Sequence, residues 1–279
     1  MRRPVVTIVL IVLNVLVYFL VQPLDLVAGT DFTFETAAIP DELTSGEPLS
    51  EREFCTVLFG TTEEATSIAT TEAVCNSPTD EPRFPNKNVY LAVLSSMFLH
   101  GGLMHLGGNM LYLWVFGNNI EDHLGKVKYL IFYLLAGVIA TFAHVAADPG
   151  SDIPLIGASG AVAGVMGAYL VWFPWARIKT IAVIMLTELK AWIVLAFWFG
   201  SQFFINPSDG VAWLAHVGGF VFGALVATLA RTNSGFRQRL WQHKYLTQNP
   251  GAPVGSWDQR YGGREVLQDG QTPSWHPGP

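Results

Sequence analysis

Six apolar runs dominate this chain, and they restrict its fold more than any other feature. They cover about residues 4–21, 103–120, 127–147, 159–174, 189–205 and 211–229. A helix needs about 20 mostly apolar residues to cross a hydrocarbon core about 30 Å thick. Inside that core every backbone N–H and C=O has to be satisfied within its own segment, which favours helices. The expected fold class is an all-α membrane protein with a six-transmembrane-helix bundle. Composition agrees, since 14% of residues are charged where a soluble domain carries about 25%. The first run follows Arg2 and Arg3, as a secretory signal would. It is long for one and no small-x-small cleavage site follows closely, so it reads as an uncleaved span. Residues 178–189 are apolar but bounded by Glu188 and Lys190; charge is costly at the bilayer centre, so this stretch reads as an interfacial turn into the fifth helix.

Basic residues near the span ends set the orientation. Arg2 and Arg3, Lys126 and Lys128, Arg177 and Lys179, and Arg231, Arg237 and Arg239 all fall on one side of a six-span chain. That side is expected to be the cytoplasm, with both termini there, in a multi-pass protein of the plasma membrane. The opposite connections carry Asp148, Asp152 and Asp209, and residues 24–88 form an acidic extracytoplasmic insertion. Its Thr, Glu, Pro and Ser content suggests a loosely structured segment or a small appended fold. Cys55 and Cys75 lie there, with a disulfide and two free thiols as the alternatives. Residues 1–23 make the first helix and 89–231 the core. Residues 232–279, rich in Pro, Gly, Gln and Ser, read as a disordered cytosolic tail. A net charge of −6 leaves no basic face for phosphate, so no nucleic-acid partner is expected.

Polar groups at membrane depth are candidates for function. Gly157-Ala158-Ser159-Gly160 opens the fourth run. A serine there serves as a simple N-cap in many helices. From Ser159 to Phe173, however, a helix is only about 22 Å long at 1.5 Å per residue, so Ser159 sits roughly 8–10 Å below the outer surface of a core about 30 Å thick. A serine at that depth needs a wet cavity. Ala215-His216-Val217-Gly218-Gly219 lies in the sixth run, and Gly219 and Gly223 form a Gly-xxx-Gly pair. Such stripes bring membrane helices close. If this one packs on Gly160, Gly164 and Ala168, His216 falls beside Ser159 and can act as its base. His105 and Asn109 share a helix face and can donate to an oxyanion with the Ser159 amide; interhelical hydrogen bonding is their bland reading. His100 and His105 are not at the i, i+4 spacing of a helical zinc site, and no third ligand is near, so no metal or cofactor is expected. His123 and His144, at helix ends, read as structural, and His243 and His276 carry no argument. No acidic residue is placed to complete a triad, so the reading is a Ser159–His216 dyad with its histidine oriented by packing.

Phe98-Leu99-His100-Gly101-Gly102-Leu103-Met104-His105 with Asn109, then Gly157-Ala158-Ser159-Gly160, then Ala215-His216 with Gly219 and Gly223, resembles the rhomboid family of intramembrane serine proteases. The resemblance covers about residues 90–231. It implies a rhomboid-like six-helix core opening to the extracytoplasmic side and a Ser159–His216 dyad. His105, Asn109, Gly157 and His100 would belong to the oxyanion and substrate-binding site, and Glu121 would have a structural role. It implies single-pass transmembrane proteins as substrates, cut near a small residue. Two positions depart from the pattern. Leu91 and Ala92 stand where a Trp-Arg pair is common, and Ala163 stands where an aromatic residue often supports the histidine ring. The alternative function is a catalytically silent rhomboid-like protein that binds membrane helices. A small transporter would want paired broken helices, which this sequence lacks.

Overall fold

The computed structural model describes residues 3–23, 26–59, 75, 78–182, 185–206 and 211–231. Arg2, Asp25, Asp209, Arg237, Arg239, His243, His276 and the expected tail at 232–279 lie outside the described residues. Helix α1 (Val5–Leu16) continues through a π-helical turn, Val17–Val21. The backbone N–H groups of Val6 and Thr7 donate to the Glu121 carboxylate at 2.9 and 2.8 Å, and Thr7 Oγ1 adds a third bond at 2.9 Å. A buried carboxylate here captures unpaired donors of the helix and complements its dipole.

The 24–88 segment is more ordered than its composition suggested. It contains α2 (Leu26–Thr36), α3 (Pro40–Ser45) and α4 (Glu51–Phe59). Phe34, Ile39, Leu49, Phe54 and Cys55 form a buried cluster, against which Phe84 packs. Cys55 and Cys75 are disulfide-bonded, and a fully buried ion pair joins Lys87 to Glu42. Few large apolar residues suffice because those present converge on one cluster. The short helix α5 (Ala92–Ser95) and a 3₁₀ turn, Ser96–Phe98, lead on into the loop at His100.

Helix α6 (Leu103–Tyr112) passes through a π-helical turn, Leu113–Gly117, into α7 (Asn118–Leu124). Gly125, at φ +80°, reverses the chain into α8 (Lys126–Ala147), a left-handed conformation that glycine adopts without steric cost. Then come α9 (Ser159–Trp172), α10 (Ala191–Ser201) with the 3₁₀ turn Gln202–Phe204, and α11 (Trp213–Arg231). The described chain is predominantly helical. Helices α8 and α11 are each long and apolar enough to cross a membrane, while Val5–Val21, Ser159–Trp172 and Ala191–Phe204 are shorter apolar helices.

Helix α9 is the centre of the bundle, buried on nearly every side. It packs most extensively on α11, through glycine. A Cβ at Gly219 would collide with the Gly160 carbonyl, and one at Gly223 with the Gly164 carbonyl. On the α8 side, Cβ atoms at Gly160 and Gly164 would come within 2.6 and 2.5 Å of Ala140 and Ala136. Trp172 Nε1 closes the far end, donating to the Ala227 carbonyl at 3.0 Å.

Residues 178–189 correct the expectation of a turn. β1 (Arg177–Ala182) and β2 (Met185–Lys190) form an antiparallel hairpin with Arg177 opposite Lys190 and Lys179 opposite Glu188. The local sequence accounts for it: Arg177 and Lys179 are exposed around buried Ile178, a period of two, and Ile178, Thr180, Ile181 and Thr187 are β-branched.

Candidate active site

Three chain segments converge on Ser159. The first is its own approach. Leu155 N–H donates to the Ala38 carbonyl at 2.8 Å, and Gly157 N–H to the Ser96 carbonyl at 2.9 Å. Gly157 has φ +118°, and a Cβ there would lie 2.8 Å from the His105 ring. Both the backbone and the available space therefore require glycine two residues before the serine. Ser159 then starts α9, whose first N–H groups have no intrahelical partner and face the same region as its Oγ.

The second segment is α11. His216 Nε2 lies 2.8 Å from Ser159 Oγ. The separation follows from the glycine contacts: α9 and α11 touch backbone to backbone at Gly160 and Gly219, and His216 is one turn before Gly219 on α11. With an aromatic or aliphatic residue in place of these glycines, the helices would stand further apart and the hydrogen bond would be lost.

The third segment is the start of α6. His105 Nε2 and Asn109 Nδ2 both flank Gly157, at 2.8 and 3.6 Å from where a Cβ would stand. His105 Nδ1 accepts from the Gly101 N–H at 3.4 Å, so the ring proton belongs on Nε2, the nitrogen aimed at the site. Asn109 Nδ2 also donates to the His105 carbonyl at 3.1 Å. His100 stands apart from these groups. It is fully buried, its ring is 5.3 Å from that of His105, and its backbone is held by Gln22, which donates to its carbonyl at 2.9 Å and accepts from its N–H at 3.1 Å. It supports His105 and ties the end of α1 to this loop.

Both departures from the rhomboid pattern find a local substitute. Trp198 of α10 places its ring 6.0 Å from that of His216, on a different helix from Ala163. The loop that lacks Trp-Arg is held by the outer fold instead, through Ser95 Oγ donating to the Thr36 carbonyl at 2.5 Å. One polar residue was missed in the sequence. Gln202 is buried, and its Oε1 lies 2.7 Å from His216 Nδ1. A polar side chain in the fifth apolar run was itself a signal, overlooked because only Asp and Glu were sought as a third member.

A family model described as Rhomboid domain matches residues 87–233. The chain is 33% identical over 178 residues to the presenilin-associated rhomboid-like protein, mitochondrial, of Bos taurus, covering 59% of this chain and 45% of that protein. It is 31% identical over 135 residues to the rhomboid protease GluP of Bacillus subtilis (strain 168), covering 48% of this chain and 25% of that one. With the rhomboid protease GlpG of Yersinia pestis (strain Pestoides F) it shares 29% identity over 152 residues, 53% of this chain and 52% of that one. The chain thus spans about half or less of each of these relatives. The vertebrate relatives, from Bos taurus, Pongo abelii and Homo sapiens among others, are named as mitochondrial. They overturn the expectation of a plasma membrane with a cytoplasmic side. The physical reason is that a Lys and Arg bias orients a helix in whatever membrane receives it; it does not identify that membrane.

Proposed function

This chain belongs to the rhomboid family, and from that premise we propose that it is an intramembrane serine endopeptidase with a Ser159–His216 dyad. The observation that carries the reading is the 2.8 Å contact between Ser159 Oγ and His216 Nε2, at the mouth of a short buried helix where glycine holds two helices together. The core is proposed to be a six-span bundle of α1, α6–α7, α8, α9, α10 and α11, over residues 89–231 with α1 added at 1–23. The π turns and the brevity of α9 and α10 keep several of these below the length of a simple span, as expected where irregular backbone lines a wet cavity.

Ser159 Oγ attacks the scissile carbonyl carbon while His216 Nε2 takes its proton. The oxyanion receives the Ser159 N–H, His105 Nε2–H and Asn109 Nδ2–H. One preorganised donor of this kind is worth about 10²–10³ in rate. The C–N bond then breaks, His216 returns its proton to the leaving amine, and an acyl ester remains on Ser159. Water attacks that ester with His216 again as base. Gly157 leaves room for the oxyanion between Ser159 and His105. The substrates proposed are single-pass membrane proteins cut near the boundary of their span. A mitochondrial membrane is the setting that the vertebrate relatives suggest.

The test uses purified protein in proteoliposomes with a single-span reporter bearing a small residue near its membrane boundary. Wild type is expected to cleave it. Ser159→Ala and His216→Ala are expected to lose cleavage while melting at the wild-type temperature. Cleavage that persists in Ser159→Ala sinks the assignment. A folded wild type that cleaves no reporter and takes no fluorophosphonate on Ser159 favours a silent helix-binding protein.

A further inference from the structure

Gln202 sits where a triad would hold its carboxylate. Its Oε1 is 2.7 Å from His216 Nδ1, and its Nε2 donates to the Trp198 carbonyl at 3.0 Å and to Ser201 Oγ at 3.3 Å. The Trp198 carbonyl can only accept, which places the amide nitrogen at that end and turns Oε1 towards the histidine. An amide oxygen is also only an acceptor, so Nδ1 must carry the ring proton. Nε2 is then left with its lone pair facing Ser159 Oγ, the tautomer a base needs. Both Gln202 contacts are buried, where an alternative partner for Nδ1 from water is scarce.

Resting on the proposed dyad, we propose that Gln202 is a positioning residue that fixes the His216 tautomer, making the site a Ser-His-Gln array with a neutral third member. In this array the proton on Nδ1 stays put through the cycle. The Ser159 proton moves to Nε2 and on to the leaving amine, and the transient imidazolium is held by an amide dipole with no counter-charge. The Gln202–Trp198 bond also links the two residues that contact the His216 ring, because Trp198 lies over it at 6.0 Å. Orientation of the base is thus supplied by α10, a different element from the one that carries the base.

The decisive pair of variants is Gln202→Met and Gln202→Glu. Neither can donate to Trp198, but a glutamate still accepts from Nδ1–H. If Gln202 positions the base, Gln202→Met loses about 10–100-fold in kcat with KM little changed, a share of the 10²–10⁴ that general-base catalysis contributes. Gln202→Glu keeps kcat within about fivefold. If the role is only to brace α10 through Trp198, both variants fall together, and that result overturns the proposal. Labelling of Ser159 by a small fluorophosphonate, which needs no docked substrate, is expected to slow in parallel for Gln202→Met.

A spectroscopic reading does not depend on either variant folding. In wild-type protein with ¹⁵N-labelled histidine, the His216 ring signals, found by subtraction of His216→Ala, are expected to show the proton on Nδ1. A proton on Nε2 in the resting wild type overturns the proposal outright. Failure of the dyad reading looks different, since wild type would then neither cleave nor label at Ser159.

Discussion

The α9–α11 interface and the outer fold of residues 26–88 are both compact, yet they are held together by different physics. Between α9 and α11, glycine at Gly160, Gly164, Gly219 and Gly223 brings backbone against backbone. Lipid tails are as apolar as leucine, so helices in a bilayer gain little from hiding apolar side chains and must gain from close packing instead. The outer fold faces water and relies on an apolar cluster around Phe34, Ile39 and Phe54, a Cys55–Cys75 disulfide and the buried Lys87–Glu42 pair. A small fold cannot bury enough surface by itself and needs such staples. The difference teaches where each region is brittle: the bundle tolerates no added volume, and the outer fold tolerates no lost partner.

The sharpest break is Gly223→Val. Its Cβ would strike the Gly164 carbonyl, which is backbone and cannot swing aside. Overpacking of a core costs typically 1–3 kcal/mol when side chains can adjust; here the helices themselves must separate, so a larger loss is expected. The melting temperature in micelles should drop by more than for any outer-fold variant, and cleavage should vanish with it as Ser159 and His216 part. A wild-type melting temperature would mean that the contact between α9 and α11 is not the source of the bundle's cohesion.

That interface was legible in the sequence because its two stripes, Gly160-Gly164-Ala168 and Gly219-Gly223, repeat every four residues. The period itself says which face packs. The same legibility extended to Ser159, His216, His105 and Asn109, whose helical spacing places them without a tertiary argument. Gln202 was not legible in that way. Its partner is 14 residues away on another helix, and no period within α10 singles it out. The hairpin at 177–190 was misread because apolar content was weighed before alternation. The outer fold was underrated because its core residues are scattered along the chain, so their convergence depends on the path taken rather than on local pattern.

The second test separates the two regions through charge. Burial pushes the Glu42 carboxyl up and the Lys87 ammonium down from their usual ranges, because each ion has lost its water. Both side chains are almost wholly inaccessible. Removing one partner, by Lys87→Met or Glu42→Gln, is expected to cost about 3–5 kcal/mol, since it strands the other group. The double variant should cost less than the worse single one, and the coupling is read from a double-mutant cycle of denaturant melts. Additive losses would mean that each residue matters through its own packing. Lys87 also donates to the Phe34 carbonyl at 2.6 Å, a contact the cycle holds constant.

The smallest expected effect asks whether the outer fold is merely appended or bears on the chemistry. The disulfide closes a loop with a sequence separation of 20, for which chain entropy predicts about 3 kcal/mol. Cys55→Ser and Cys75→Ser should therefore lower the outer fold's own transition, as followed by protease protection of residues 26–88, and leave the bundle's melting unchanged. Yet the two regions meet at a strap. Leu155 donates to Ala38 and Asp41 to Ser151, at 2.8 and 3.1 Å, within a few residues of Gly157 and Ser159. Loosening the outer fold frees that strap before it frees any helix. Cleavage by the serine variants is thus expected to slow by about two- to fivefold, in line with one or two net hydrogen bonds of about 0.5–1.5 kcal/mol each being partly lost. The loss should appear in kcat and in fluorophosphonate labelling alike. A rate that stays at the wild-type value after the outer fold has been loosened would show that Ser159 is held by α9, α11 and the Gly157–Ser96 bond alone.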